Sequence, residues 1–373
     1  MDRLTQLDFR RGSNGSRRLN ARPALGADLG GHARTERQEG VLGAGGEAAV
    51  QAAGRFTDVI AELDRGARRE HRTLPAQTER LALHAAFWEE LIPVLTRVEP
   101  GFDELELARA RREVQAVLNP WLLRSRLWAR SAIKPFGYPG DYRMLEWMYD
   151  LERDKCADPC QPAAVNLLDG LYKSVHSVQA VWHRRAWFAR LIAKRIRASG
   201  APVRVLDVAC GGSRYTHDVI ERCGPGSVKG TFFDQDPAAL AFVRSRLPET
   251  PKKVATFVCA PVKRFQESLP TAPASAQRRF DVVISTGLFD YLADEPARDL
   301  VAHMTALTRP GGTVAICNFS PDDASRPVKD WVADWRLIYR TCPDLAELFP
   351  PETNPAVTES PDGGLVYAQI TAS

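Results

Sequence analysis

Val203-Arg-Val-Leu-Asp-Val-Ala-Cys-Gly-Gly-Ser213 is a short β-branched apolar run that empties into a glycine-rich turn. Glycine lacks a Cβ and reaches backbone angles that other residues avoid, so such a turn lets a ligand approach the main chain closely. In a parallel sheet this turn falls at the switch point of strand order, where ligands gather. Taken alone it is a weak signal, since Gly-rich strand ends also serve plain structure. Asp207, Ala209 and Gly211 are its candidate binding residues.

Downstream, short apolar runs alternate with helical stretches, as expected of βαβ units around a parallel sheet. Strands are expected at 203–208, 230–233, 255–259, 280–285 and 313–319. The chain then closes with 356–359, a Pro361-Asp-Gly-Gly turn and 365–370. The second strand ends Phe232-Phe-Asp-Gln-Asp236. A carboxylate there can accept hydrogen bonds from the two hydroxyls of a ribose, which makes Asp234 and Gln235 candidate ligands. Asp236 precedes Pro237 and suits a helix N-cap. The fourth strand runs into Ser285-Thr-Gly-Leu-Phe-Asp-Tyr291, whose Ser285 and Gly287 face the same edge. The fifth ends Cys317-Asn-Phe319, and Asn318 could orient a polar ligand group.

Upstream, residues 56–199 read as helical. One helix is expected over 78–96, tightened or kinked by Pro93, and a second over 103–118, before Asn119-Pro120. A long third helix is expected over 163–198, with Leu168, Leu171, Val175, Val178 and Trp182 on one face. Its other face carries Lys173, Arg184, Arg185, Lys194 and Arg195 and reads as solvated. Lys134-Pro-Phe-Gly-Tyr-Pro-Gly-Asp-Tyr142 interrupts the helices, because its prolines and glycines cannot continue one. Residues 1–55 are polar and rich in Arg, Gly and Ala, too poor in large apolar side chains to offset the entropy of ordering, and read as a disordered tail. The chain thus divides into a tail (1–55), a helical lid domain (56–199) and a Rossmann-like domain (200–373).

At 373 residues the chain can bury a large core, and 44% hydrophobic with 26% charged residues is globular. A net charge of +4 without a basic run argues against nucleic-acid binding. There is no apolar leader and no membrane-length apolar run, so a cytoplasmic location is expected. Cys156 and Cys160 have no second Cys/His pair nearby, so no metal site is expected.

Several segments together carry a resemblance. They are 134–142, Asp234-Gln-Asp236 with Ala239-Leu240, Gly287-Leu-Phe-Asp-Tyr-Leu292, Asn318-Phe319, and Trp335-Arg-Leu-Ile-Tyr-Arg340. From about residue 130 to the end, the chain resembles the class I S-adenosylmethionine-dependent methyltransferases. More narrowly, it is similar to the bacterial group named for biosynthesis of the extracellular factor 3-hydroxypalmitic acid methyl ester. The closing strand pair suits that seven-stranded methyltransferase sheet better than a dehydrogenase. Where the general turn of these enzymes has three glycines, this chain has Ala209 and Ser213 at the first and third places.

The resemblance implies an α/β fold, a Rossmann-like sheet with an N-terminal helical domain, and S-adenosyl-L-methionine as cofactor. It further implies a small-molecule acceptor, a carboxylate of a small or fatty-acid-like metabolite in signal or secondary metabolite biosynthesis. A carboxylate needs no general base at neutral pH, its pKa being about 4. It needs donors to hold it, and Tyr138, Tyr142, Asn318, Tyr339 and Arg340 are the candidate catalytic residues, with Arg184 or Arg185 from the long helix. Two other readings stay open: a cyclase turning the cofactor into azetidine-2-carboxylate and methylthioadenosine, and a non-catalytic cofactor-binding partner subunit.

Overall fold

The structure, a computed structural model, describes residues 42–152, 158–270 and 280–373. Residues 1–41, and Cys156 of the cysteine pair, lie outside the described residues. Between 42 and 55 the tail expectation is corrected. Helix α1 (Ala44–Arg69) begins well before Phe56 and buries Ala49, Ala52 and Ala53 with Phe56 and Ile60. Small alanines are poor hydrophobic markers, so the sequence of this segment resembles a tail. Alanine is nevertheless the best helix former, and here its small size admits close packing.

The 78–96 expectation resolves into α2 (Gln77–Ala85), a widened π-type turn at Ala86–Leu91, and α3 (Ile92–Val98). Pro93 lies in the first turn of α3. The helix widens ahead of the proline rather than tightening, one way of accommodating a residue without an N–H. Asp103 and Glu106 form a reciprocal cap for α4 (Glu104–Leu122), which carries Pro120 within its last turn. Next come α5 (Arg126–Ile133), closed by Lys134 at φ 51°, and α6 (Tyr142–Leu151), capped by Asp141.

The expected long third helix is two, α7 (Ala163–Lys173) and α8 (His176–Ser199). Val175 is extended at the break, and the Ser174 hydroxyl donates to Leu171 O while accepting from Trp88 Nε1. A second correction concerns the basic face. Arg184 and Arg185 lie in the buried stripe of α8 with Val181, Phe188 and Ile192.

The seven strands are β1 (Val203–Val208), β2 (Val228–Asp234), β3 (Thr256–Cys259), β4 (Phe280–Ser285), β5 (Thr308–Phe319), β6 (Ala356–Glu359) and β7 (Leu365–Thr371). They form one sheet in the order β3-β2-β1-β4-β5-β7-β6. The first five are parallel, and β7 inserts antiparallel between β5 and β6. This is the Rossmann-like methyltransferase fold expected from the sequence. The order reverses at β1, between β2 and β4, so the turn after β1 lies at the switch point.

Alternation along the strands fills both faces. Leu206, Val208, Val283, Val314 and Ile316 pack on one side with Val301, Met304 and Phe349. On the other, Val203, Val205, Ile284, Ala315 and Cys317 join a core that also holds Phe56, Phe87, Leu118, Trp128 and Phe188. Residues 42–373 are one compact unit. The helical region and the sheet share a core and are not two separate domains. Helix α8 enters β1 through Gly200 at φ 62°, so its earlier turns come to lie by the carboxyl ends of the strands.

Candidate functional site

The turn after β1 takes three left-handed residues, Ala209 (φ 54°), Gly211 (φ 51°) and Ser213 (φ 45°). Non-glycine residues seldom adopt this conformation, so Ala209 and Ser213 hold a glycine-type backbone with other side chains. Helix α9 (Arg214–Cys223) starts directly after it. Asp207 is fully buried beneath the turn and accepts hydrogen bonds from Ser213 Oγ (2.5 Å) and Tyr215 OH (2.7 Å). Its carboxyl is pushed up to about 7, because burial outweighs those two donors. Asp207 was expected to be a direct ligand; its carboxylate instead pins the turn to α9.

Asp234, at the end of β2, ties the two halves of the edge together. One oxygen accepts from Gly211 N (2.8 Å) and the other from Asp236 N (2.9 Å). Burial raises its pKa against these two amides. A carboxylate offers about four lone-pair sites, so acceptor capacity is left at this position. Asp236 caps α10 (Pro237–Arg246) through Oδ1 to Ala238 N, while its Oδ2 is buried without a partner. Gln235 is exposed beside them.

Helix α6 covers the turn. Tyr142 packs over Gly211 and against Phe242 of α10 at 5.5 Å between rings. One helical turn later, Glu146 fills the space a Cβ on Gly212 would need, 2.5 Å away, and pairs with Arg214. The 134–142 segment is held by Arg130, whose guanidinium pairs with Asp141. Tyr138 lies near enough to Asp234 and Asp236 that, after burial, their charge raises its hydroxyl pKa. Tyr142 stands on the Gly211 side, whereas Tyr138 lies within electrostatic range both of Asp234 and Asp236 and of Tyr291 beyond β4.

The far part of the edge is closed by a clasp. The Trp335 ring sits where Gly140 would carry a Cβ, Trp335 Nε1 donates to Tyr291 OH, and Tyr291 OH donates to Pro139 O. Asn318 and Arg340 belong to the framework of this clasp. Asn318 donates to Phe319 O and Ile338 O and accepts from Arg340 Nη1, which also donates to Phe289 O. Arg340 further pairs with Asp294. Their hydrogen-bonding capacity is thus turned inward, contrary to the catalytic role expected for them. Tyr339 donates to Asp330 (3.2 Å) and stacks near Arg326 and Lys329.

At the β4 end, Ser285 is fully buried with its hydroxyl unpartnered among the described residues. Gly287 faces Arg184, whose Nη1 would lie 3.1 Å from an added Cβ. Arg185 points elsewhere and pairs with Asp218. His217, Asp218 and Glu221 are close enough to hold a metal ion, but Asp218 is already committed to Arg185. Sequence reasoning missed Glu146 and Tyr215. Both had a signal: Glu146 lies four residues after Tyr142 on one face of α6, and Tyr215 lies in the first turn of α9.

Residues 205–312 match the family model of a methyltransferase domain. Among solved structures, a possible exported protein from Bordetella parapertussis aligns over 91% of this chain and 99% of its own, at 14% identity and a TM-score of 0.48. Magnesium protoporphyrin IX methyltransferase from Synechocystis PCC 6803 covers 52% of this chain and 84% of its own, at 13% and 0.38. The 1,6-didemethyltoxoflavin-N1-methyltransferase of Burkholderia thailandensis covers 54% and 85%, at 23% and 0.34. No curated protein matches. Among the described residues no helix is long and apolar enough to cross a membrane.

Proposed function

We propose that this chain, whose residues 205–312 match a methyltransferase domain, is an S-adenosylmethionine-dependent methyltransferase that O-methylates a carboxylate of a small or fatty-acid-like metabolite in signal or secondary metabolite biosynthesis. The residues at the edge fit the cofactor. The backbone at Gly211 can be approached closely, Asp234 keeps acceptor capacity for ribose hydroxyls, and the unpartnered Asp236 Oδ2 stands beside it. Tyr138 and Tyr142 would close over the nucleoside, and Gly287 and Ser285 would border the reacting end. When bound, S-adenosylmethionine supplies a sulfonium methyl group that an anionic oxygen can take without any proton being moved.

The observation that carries the acceptor class is the state of the acids and bases at this edge. Asp207 is engaged by two hydroxyls and Asp234 by two amides. Asp290 accepts from Phe319 N (2.7 Å) among three cations, Arg184, Lys329 and Arg340. Burial pushes the Cys317 thiol up to about 12. Asp207, Asp234 and Asp290 thus each hold a structural task, which favours an acceptor that brings no proton to be removed. A carboxylate arrives ionised and needs only alignment and partial desolvation. Nearby apolar surface at Ile133, Phe136 and Ile338 is exposed, which suits an acceptor with an apolar body.

The test is incubation with S-adenosylmethionine and a panel of carboxylic acids, followed by mass spectrometry. Methyl esters accumulating with S-adenosylhomocysteine are the expected products. Methylated amines or alcohols, with no ester from any acid, would replace the acceptor class. Methylthioadenosine in place of S-adenosylhomocysteine would indicate cyclisation of the cofactor.

A further inference from the structure

Helix α8 carries an arginine where its pattern calls for an apolar residue. Arg184 stands in the buried stripe, one turn after Val181 and one before Phe188, with 3% of its surface exposed. Moving a charge out of water costs several kcal/mol unless it is paired and fully hydrogen-bonded. Arg185 next to it meets that need through a pair with Asp218. Arg184 does not: its Nε has no hydrogen-bond partner, and no carboxylate among the described residues lies within ion-pair distance of it. Its hydrogen-bond partners are the neutral Tyr149 hydroxyl and Cys317 thiol, and Asp290 lies within electrostatic range. Of these, Asp290 is already held by the Phe319 amide.

The position is as telling as the missing carboxylate partner. The guanidinium lies against Gly287, immediately after β4, where a Cβ would meet Nη1 at 3.1 Å and Cζ at 3.6 Å. Glycine at 287 therefore clears room for the arginine at the reacting edge. The Tyr367 hydroxyl, within electrostatic range on the same side of the sheet, is also buried without a partner. Two unsatisfied donors on one side of the sheet, Arg184 Nε and the Tyr367 hydroxyl, form an anion-receiving corner that packing alone does not require. A Met or Leu at 184 would fill the stripe at lower cost.

We propose that Arg184 is the carboxylate-binding residue of the site, its planar fork receiving a carboxylate beside Gly287. That group belongs either to the acceptor or to the amino-acid end of the cofactor. The acceptor form rests on the carboxylate reading above; the cofactor form holds whatever the acceptor is.

Arg184→Met separates the two sources by calorimetry on the full chain. The first probes are S-adenosylhomocysteine and its decarboxylated analogue, which differs only in lacking the carboxylate. The second are octanoate and octanamide, titrated into protein saturated with S-adenosylhomocysteine. Charge-assisted hydrogen bonds of this kind correspond to roughly 10- to 100-fold in affinity. A loss of that size for S-adenosylhomocysteine, with the decarboxylated analogue unchanged, assigns the cofactor carboxylate. Unchanged S-adenosylhomocysteine with lost octanoate binding, octanamide being weak in both proteins, assigns the acceptor. Equal losses for the homocysteine compound and its decarboxylated analogue would reduce Arg184 to a structural part and overturn the proposal. So would a variant that matches wild type with every probe, including a wild type that takes no octanoate. Arg184→Lys, which keeps the charge without the fork, is the second variant. Should Arg184→Met fail to fold, the same four titrations on Arg184→Lys decide, with partial loss expected for the carboxylate probe alone.

Discussion

Two buried aspartates at this edge are predicted to respond differently to mutation. Asp234 bonds to Gly211 N and Asp236 N and keeps lone pairs for a ligand. Asp234→Ala is expected to weaken S-adenosylhomocysteine binding by about 1–3 kcal/mol, measured by calorimetry; unchanged affinity in a folded variant would remove the ribose assignment. Asp207 touches no ligand surface, and its signature is in pH. Its folded-state pKa is raised from 3.8 to about 7, so the native state holds a proton that the unfolded chain releases earlier. The stability linked to that proton is full below about pH 4 and is lost as pH rises through about 7. Melting temperatures of wild type should therefore fall between pH 5 and pH 8 relative to Asp207→Asn, which cannot titrate. Parallel pH profiles for the two proteins would show that the carboxyl is not protonated in the native state. The sequence made the type of both residues legible but not their orientation. Asp207 and Asn318 are ligand-type residues at ligand-type positions, yet hydrogen bonds from Ser213, Tyr215 and Arg340 turn them inward.

At the level of elements, the strands were legible because short apolar, β-branched runs mark strands buried on both faces, and all seven lie within about five residues of their expected places. Helix boundaries were harder. Nothing in Ser174-Val175 resembles a breaker, and the interruption depends on Trp88, distant in sequence, bonding to Ser174. The cover of the turn was only partly legible. The rigid 134–142 segment was recognisable, but its partner depended on where α6 would lie. Because α6 sets the Cβ of Tyr142 over Gly211 and its ring against Phe242, the ring's packing and not the hydroxyl should matter. Tyr142→Phe is expected to stay within about threefold of wild-type cofactor affinity, and Tyr142→Ala to weaken it by roughly tenfold or more as the ring's packing on Phe242, which holds the cover of the turn, is lost. Binding and turnover measured together decide this. A Tyr142→Phe variant that binds normally but turns over slowly would return the hydroxyl to the reacting group.

For the molecule as a whole, the helical part and the sheet bury one another. Helix α1 contributes Ala49, Ala52, Ala53 and Phe56 to the core that also holds the α8 face of the sheet. A chain beginning at residue 42 is therefore expected to melt well above one beginning at 56, the difference arising from the three alanine contacts and the exposed face they leave. Equal melting temperatures would mean that the first half of α1 adds nothing to the fold. The same shared core bears on how acceptor choice could change over evolutionary time. A detachable cap can be exchanged between relatives as a module, leaving the catalytic sheet untouched. Here the helix bearing Arg184 also packs on β1 and β4 and supplies Phe188 to the interior. If Arg184 receives the acceptor's carboxylate, any change to that contact is also a change to the foundation of the sheet. New specificities would then come by small steps at Arg184 and Gly287, each restrained by the stability it puts at risk.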